Sequence, residues 1–239
     1  MSNLLSALDA SANALGVFQN ALSVSSNNIA NSSTPGYVKQ IAQLEALPGF
    51  ARRVALLDIG CGAGNYTLKL LQRLPLTRVT LVDLSRPMLD RAVERIYAAA
   101  PNVAVTAMQS DVREVALPES TFDVAVAGAT LHHLRADAEW QRVFGVVYRA
   151  LVPGGSLWIS DLVTHQSAAI HNVMWERYGE YLAGLKGPGY RDQVFAYIEA
   201  EDTPRPLRWQ IDLLARTGFR DIDVLHKNSC FAAFGAIKP

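Results

Sequence analysis

The sequence predicts an α/β protein organised around a buried, mostly parallel sheet. Three observations carry this. The run Val54-Ala55-Leu56-Leu57 is short, continuous and apolar, as a strand covered on both faces is, and Asn65-Tyr66-Thr67-Leu68-Lys69-Leu70-Leu71 after it has helical apolar spacing. Between them, Gly60, Gly62 and Gly64 make a sharp strand-to-helix turn, where residues without a Cβ let the chain reverse and a ligand come close. Arg78-Val-Thr-Leu-Val-Asp83 then repeats the apolar run about 20 residues on and ends it in a carboxylate.

Taken in order, strands are expected near 54–59, 78–83, 103–108, 122–128, 155–161, 219–226 and 230–238. A helix beginning near Pro87 follows the second strand, with Asp83 or Ser85 as its cap. The third strand is Val103-Ala-Val-Thr-Ala-Met108, and the fourth is Phe122-Asp-Val-Ala-Val-Ala-Gly128. The fifth, Ser156-Leu-Trp-Ile-Ser160, follows a turn at Leu151-Val-Pro-Gly-Gly155. A later helix is expected from Leu207 to Thr217.

The glycine spacing separates two ligand classes. A dinucleotide turn, Gly-x-Gly-x-x-Gly, asks for glycine or alanine at position 65, and Asn65 is neither. What stands is Asp58-x-Gly60-x-Gly62-x-Gly64. In its strand–turn–helix setting, Leu57-Asp-Ile-Gly-Cys-Gly-Ala-Gly64 resembles the first motif of the class I S-adenosylmethionine (SAM) dependent methyltransferases. The resemblance runs from about Val54 to Lys238. It implies a Rossmann-like domain with a seven-stranded sheet of order 3-2-1-4-5-7-6, the seventh strand antiparallel.

The same resemblance implies SAM as cofactor and assigns roles. Asp58 would organise the turn and the methionine ammonium, with backbone N–H groups at the helix start facing the methionine carboxylate. Asp83 would take both ribose hydroxyls, and Asp111, in Gln109-Ser-Asp-Val112, would accept from the adenine amino group. Cys61, Leu84, Met88, Val112 and Gly128 complete the expected contacts. Each acid also has a plainer reading: a turn-stabilising carboxylate for Asp58, a helix cap for Asp83, a surface acid for Asp111.

Thr130-Leu-His-His-Leu134 stands at the end of the fourth strand. A sulfonium methyl is already electrophilic, so transfer rests chiefly on alignment and exclusion of water. If the acceptor must lose a proton, His133 is the first candidate base and His132 the second. Two adjacent histidines point in different directions and do not make a metal site, so no metal is expected.

Composition narrows the class. The 239 residues are 50% apolar, enough for one sizeable core, and 22 acids balance 22 bases, so no bulk field recruits nucleic acid or membrane. Two cysteines, Cys61 in the turn and Cys230 in a late strand, are too few for a disulfide framework and fit a reducing, cytoplasmic setting. Neither a membrane span nor a secretory signal is expected.

Residues 1–40 differ in kind: their only charged side chains are Asp9 and Lys39, among many serines and asparagines. Leu4, Leu8, Leu15, Phe18, Leu22 and Ile29 form a coiled-coil-like stripe that wants a partner. Ser26-Asn-Asn-Ile-Ala-Asn-Ser-Ser-Thr-Pro-Gly-Tyr37 and the helix before it resemble the N-terminal segments of flagellar rod, hook and hook-associated proteins. In those proteins this helix pairs with a C-terminal helix, whereas Cys230 to Lys238 reads as a strand. The chain therefore divides into a segment at 1–45 and a methyltransferase domain at 46–239. The segment is expected as a lid docked over the cofactor, a homodimer contact or a flagellar targeting element.

A substrate cap is expected near 163–206, where Trp175, Tyr178, Tyr181, Tyr190, Phe195 and Tyr197 cluster. Trp175, Tyr178 and Tyr181 share a helical face that either packs the helix on the sheet or lines an apolar pocket for a small-molecule acceptor. Thr217 to Lys238 is also similar to the tRNA carboxymethoxyuridine methyltransferases, which hold a carboxylated SAM with an arginine. The matching position is Leu213, so ordinary SAM is expected, with Arg205, Arg208 and Arg216 close by in sequence. A flagellar structural or export protein and a non-catalytic SAM-binding module remain alternatives.

Overall fold

The computed structural model describes residues 54–239, and the expected N-terminal helix lies outside the described residues. The strands are β1 (Val54–Ile59), β2 (Leu76–Asp83), β3 (Ala104–Gln109), β4 (Phe122–Gly128), β5 (Leu151–Leu162), β6 (Arg220–Asn228) and β7 (Phe231–Ile237). The helices are α1 (Asn65–Leu71), α2 (Arg86–Ala99), α3 (Asp137–Ala150), α4 (Ala168–Lys186), α5 (Pro188–Glu201) and α6 (Leu207–Thr217), with a 3-10 turn at Leu131–His133.

The sheet runs β3-β2-β1-β4-β5-β7-β6, the expected order. Strands β1 to β5 pair in parallel, and β7 is antiparallel to both β5 and β6. Alternation along a strand sends neighbouring side chains to opposite faces, and β1 uses both. Ala55, Leu57 and Ile59 join a core with Trp140, Phe144 and Phe234, while Val54 and Leu56 join one with Leu70, Leu81, Leu89 and Ile96. Every residue of β1 is buried, which is why it opens on the continuous apolar run Val54 to Leu57. Each large apolar side chain so covered contributes about 1.5–3 kcal/mol.

The bounds of β2, β3, β5, β6 and β7 move by one to four residues from those expected. β5 begins at Leu151, which pairs with Phe122 before the register shifts and Ser156 pairs with Val124. The expected turn at 151–155 is thus an irregularity within the ladder, with Gly154 at φ +77°. Cys230 sits buried in the turn between β6 and β7 and not in a strand.

Helices α4 and α5 are inserted between β5 and α6 and pack on each other around Tyr178, Leu182 and Val194. Trp175 stacks on Phe195 with ring centroids 4.6 Å apart, and Tyr178 meets Phe231 edge-on at 5.2 Å.

Candidate cofactor and acceptor site

A cavity of about 410 Å3 opens at the carboxyl ends of β1, β2 and β4, where the strand order reverses direction. Of the residues expected from sequence, Gly60, Gly62, Asp83, Leu84, Met88, Asp111, Val112 and His133 line it. Asp58, Cys61, Gly64, Gly128 and His132 lie outside the lining.

The glycine turn explains itself atom by atom. Gly60 has φ +64°, and a Cβ there would stand 2.1 Å from Thr130 Oγ1. Gly62, at φ +51°, has nothing within 4 Å of an added Cβ, so its face is open to the cavity. Gly64 caps α1 from the left-handed region at φ +75°. The amide of Gly62 donates to Asp83 Oδ2 at 2.8 Å, and that of Ser85 donates to Asp83 Oδ1 at 2.8 Å. Asp83 therefore holds the turn and the start of α2 together while keeping one lone pair on each oxygen for a ligand.

Asp58 works from behind the turn. Its carboxylate is 1% exposed and accepts from Thr67 Oγ1 at 2.6 Å, stapling β1 to α1. Burial pushes its pKa up to about 6, against the lowering effect of the Thr67 hydrogen bonds. A carboxyl whose pKa is higher folded than unfolded makes stability fall as pH rises from about 4 through 6. Asp58→Asn, which keeps an acceptor for Thr67, is expected to leave the fold intact. Its stability relative to the parent should improve between pH 4.5 and pH 7.5 by about 1–2 kcal/mol, read by thermal melts. A variant that instead loses ground across that window would refute this account.

Asp111 carries a bound cation of its own. Arg113 Nη2 lies 2.5 Å from Asp111 Oδ2, Arg113 Nε reaches both oxygens, and Arg113 Nη1 donates to Glu139 at 3.1 Å. The Arg113 hydrogen bonds outweigh partial burial and hold Asp111 below the usual carboxylate range. Cys61 is buried and its thiol donates to Gly62 O at 3.4 Å; burial raises its pKa and keeps it inert. Gly128 makes room for Tyr66, whose ring would lie 2.9 Å from an added Cβ.

The histidines diverge, as neighbours must. His132 Nδ1 is hydrogen-bonded to Asp161 Oδ1, and Asp161 also accepts from the amides of Leu131 and Leu162 at 2.7 Å each. Burial opposes charge on His132, but Asp161 and Asp202 outweigh it and hold the imidazole pKa above its ordinary value. His133 Nδ1 lies 3.0 Å from Asp202 Oδ1 with its side chain 39% exposed, so it is the histidine that reaches the cavity. Ala129, at φ +53°, and Thr130 complete that wall. Sequence reasoning missed Asp161, Asp202, Arg113 and Arg135; an acid closing the fifth apolar run was the one signal available, for Asp161.

Comparison with known proteins adds the family. Residues 56–155 match the family described as a methyltransferase domain. That match covers 100 of the 239 residues, from β1 into β5. An uncharacterized methyltransferase of Mycobacterium bovis is 35% identical over 121 residues, 50% of this chain and 55% of that protein. The chain thus spans about half the length of the first curated relatives it matches. A demethylmenaquinone methyltransferase of Chlamydia trachomatis is 32% identical over 152 residues, covering 64% of this chain and 63% of that protein. A carboxy-S-adenosyl-L-methionine synthase of Hydrogenovibrio crunogenus is 26% identical over 213 residues, 86% of this chain and 82% of that one. Haemonchus contortus phosphoethanolamine N-methyltransferase 2, solved with S-adenosylhomocysteine, shares the fold at a TM-score of 0.59 and 20% identity, over 85% of this chain and 53% of that one. Residues 6–37, outside the described residues, match the flagella basal body rod protein family.

The cavity fits the SAM that the sequence resemblance implies, since the open face at Gly62 and Asp83, with its spare lone pairs, border it together. The six cap aromatics are absent from its lining; Trp175, Tyr178 and Phe195 turn to one another and to β7. Leu213, 3% exposed, packs in the core. Arg205 pairs with Asp137, and Arg208 borders a separate cavity, so the arginines lining the cavity at the strand ends are Arg113 and Arg135. No helix among the described residues is long and apolar enough to cross a membrane.

Proposed function

We propose that this protein transfers a methyl group from SAM to a small-molecule acceptor held between the strand ends and the α4–α5 cap. The observation that carries the reading is Asp83, which lines the cavity at the end of β2 while its two oxygens anchor Gly62 of the glycine turn and Ser85 at the start of α2. Bound SAM supplies an electrophilic methyl on a sulfonium. The chain's part is to orient it: Asp83 at the ribose, Asp111 toward the adenine amino group, Leu84, Met88 and Val112 against apolar surface, and Asp58 bracing the turn with Cys61, Gly64 and Gly128.

Asp111 shares its oxygens with Arg113, so an adenine amino group must take a bent bond or displace one arginine contact. His133, at the cavity wall, takes the acceptor's proton where one must leave; His132, behind it, orients the 131–133 turn through Asp161. The N-terminal segment, 1–45, lies outside the described residues, and its sequence offers it as a lid over this cleft, a homodimer contact or a flagellar targeting element.

The test is turnover by the full chain with SAM and a panel of hydroxyl, thiol, amine and acidic-carbon acceptors, read as an acceptor gain of one methyl and as S-adenosylhomocysteine. Transfer to a small molecule is the expected result. SAM binding without turnover would point to a binding module, and no SAM binding to a structural role. If the lid reading holds, removing residues 1–45 weakens SAM binding. The carboxy-SAM synthase relative favours a second reading, in which the cavity works on SAM itself; a carboxylated SAM formed when a carboxylic acid is supplied as the source of the carboxyl group, in place of a methyl acceptor, would support it.

A further inference from the structure

We infer that His132, His133 and Asp202 form a site for one divalent transition-metal ion of the zinc type, set behind the cavity wall that His133 lines. Each residue offers one ligand atom, and the three atoms lie within 4.8 Å of one another. His133 Nδ1 stands 3.0 Å from Asp202 Oδ1, and His132 Nε2 stands 3.8 Å from Asp202 Oδ2. A hydrogen bond from Thr203 N to His132 O at 2.7 Å ties together the two segments that carry these ligands.

Three further features point to a cation and not to hydrogen bonding alone. The Asp202 side chain is 4% exposed, and its Oδ1 accepts no hydrogen bond, an arrangement costly for a carboxylate oxygen unless a charge meets it. His132 is oriented as metal-ligating histidines are: its Nδ1 is hydrogen-bonded to the buried Asp161, which leaves Nε2 directed at Asp202, where an ion can take the place of a proton. Asp161 and Asp202 are two buried carboxylates, and among the described residues neither forms an ion pair with lysine or arginine. A proton on His132 offsets one of those charges; a divalent ion offsets both.

Two imidazoles and one carboxylate suit zinc and its first-row neighbours and leave coordination positions open. Bonds of about 2.0–2.2 Å require the widest ligand separation to close by about 1 Å. His133, 39% exposed, and Asp202, just past the end of α5, are placed to supply that movement. Resting on the methyltransferase reading, the consequence concerns the acceptor. With His133 held as a ligand, an acceptor oxygen at an open position would be acidified by the ion, and His133 would no longer act as the base.

The test is titration of the metal-stripped full chain with zinc sulfate by calorimetry and with cobalt(II) by its visible absorption. One ion per chain is expected. Asp202→Asn should weaken binding about 100-fold, and His133→Gln, at a half-exposed position that tolerates change, at least about tenfold. The other histidine pair, His165 and His171, also has buried, unpartnered Nδ1 atoms but faces Lys227, so His171→Ala should leave metal affinity unchanged. No binding, parent-like binding in both Asp202→Asn and His133→Gln, or loss in His171→Ala would overturn the site. SAM titration of the same samples separates the two readings: metal bound with no SAM affinity would sink the methyltransferase function and leave the ion site standing.

Discussion

Asp83→Ala is expected to bind SAM about 5- to 150-fold more weakly than the parent, a loss of about 1–3 kcal/mol in titration calorimetry. The carboxylate does two things that one substitution removes. It accepts the Gly62 and Ser85 amides at 2.8 Å each, and its remaining lone pairs are the acceptors at the end of β2 for a pair of ribose hydroxyls. Asp83→Asn separates these parts, because the amide keeps one acceptor oxygen but turns the other into a donor that meets the Gly62 or Ser85 N–H. Its affinity should fall between parent and alanine variant if the ribose contact dominates. A folded Asp83→Ala protein that binds SAM as tightly as the parent would remove Asp83 from the cofactor site.

SAM should outcompete its carboxylated analogue by about tenfold or more, measured by displacement of one donor with the other. A second carboxylate near the sulfonium needs a cation, and breaking such a pair costs about 2–5 kcal/mol. Both arginines at the cavity are already engaged. Arg113 serves Asp111 and Glu139, and Arg135 donates to the carbonyls of Ala200 and Glu201. Leu213 is core, and Arg205 is tied to Asp137 and to Arg135 O. Equal or tighter binding of the carboxylated donor would mean that Arg113 or Arg135 releases its partners for it.

Much of this was legible in the chain because burial on both faces writes itself as apolar runs. β1 and β4 coincide with their expected bounds, and α6 with its own, since each is bounded by glycine, proline or a polar break. β5 was misjudged at its start, because a proline and two glycines look like a turn even where the ladder resumes around them. The cofactor turn was readable from local spacing alone.

The histidine wall was not. Asp202 lies far along the chain in a polar stretch after α5, and only tertiary packing brings it to His133. Arg113 gave no sign that it would occupy Asp111 two residues away, because that contact depends on the loop's curl and not on periodicity. The cap aromatics have the spacing of a pocket wall and of a packing face alike, and sequence has no means of separating the two.

The place of β7 has a kinetic consequence. It is the last strand along the described chain, yet it lies inside the sheet, flanked by β5 and β6. β6 therefore has no neighbour until β7 exists, and the two can first meet only as a hairpin across the turn at Ser229 and Cys230. That hairpin must then find β5 across the whole of α4, α5 and α6, a long loop whose closure is unfavourable before any contact repays it. Until it docks, β5 offers Leu157, Trp158 and Ile159 on an open edge, where a second chain can pair as readily as β7. Crowding during refolding thus sets a contest between completing the monomer and edge-to-edge association, decided by how fast this one hairpin arrives.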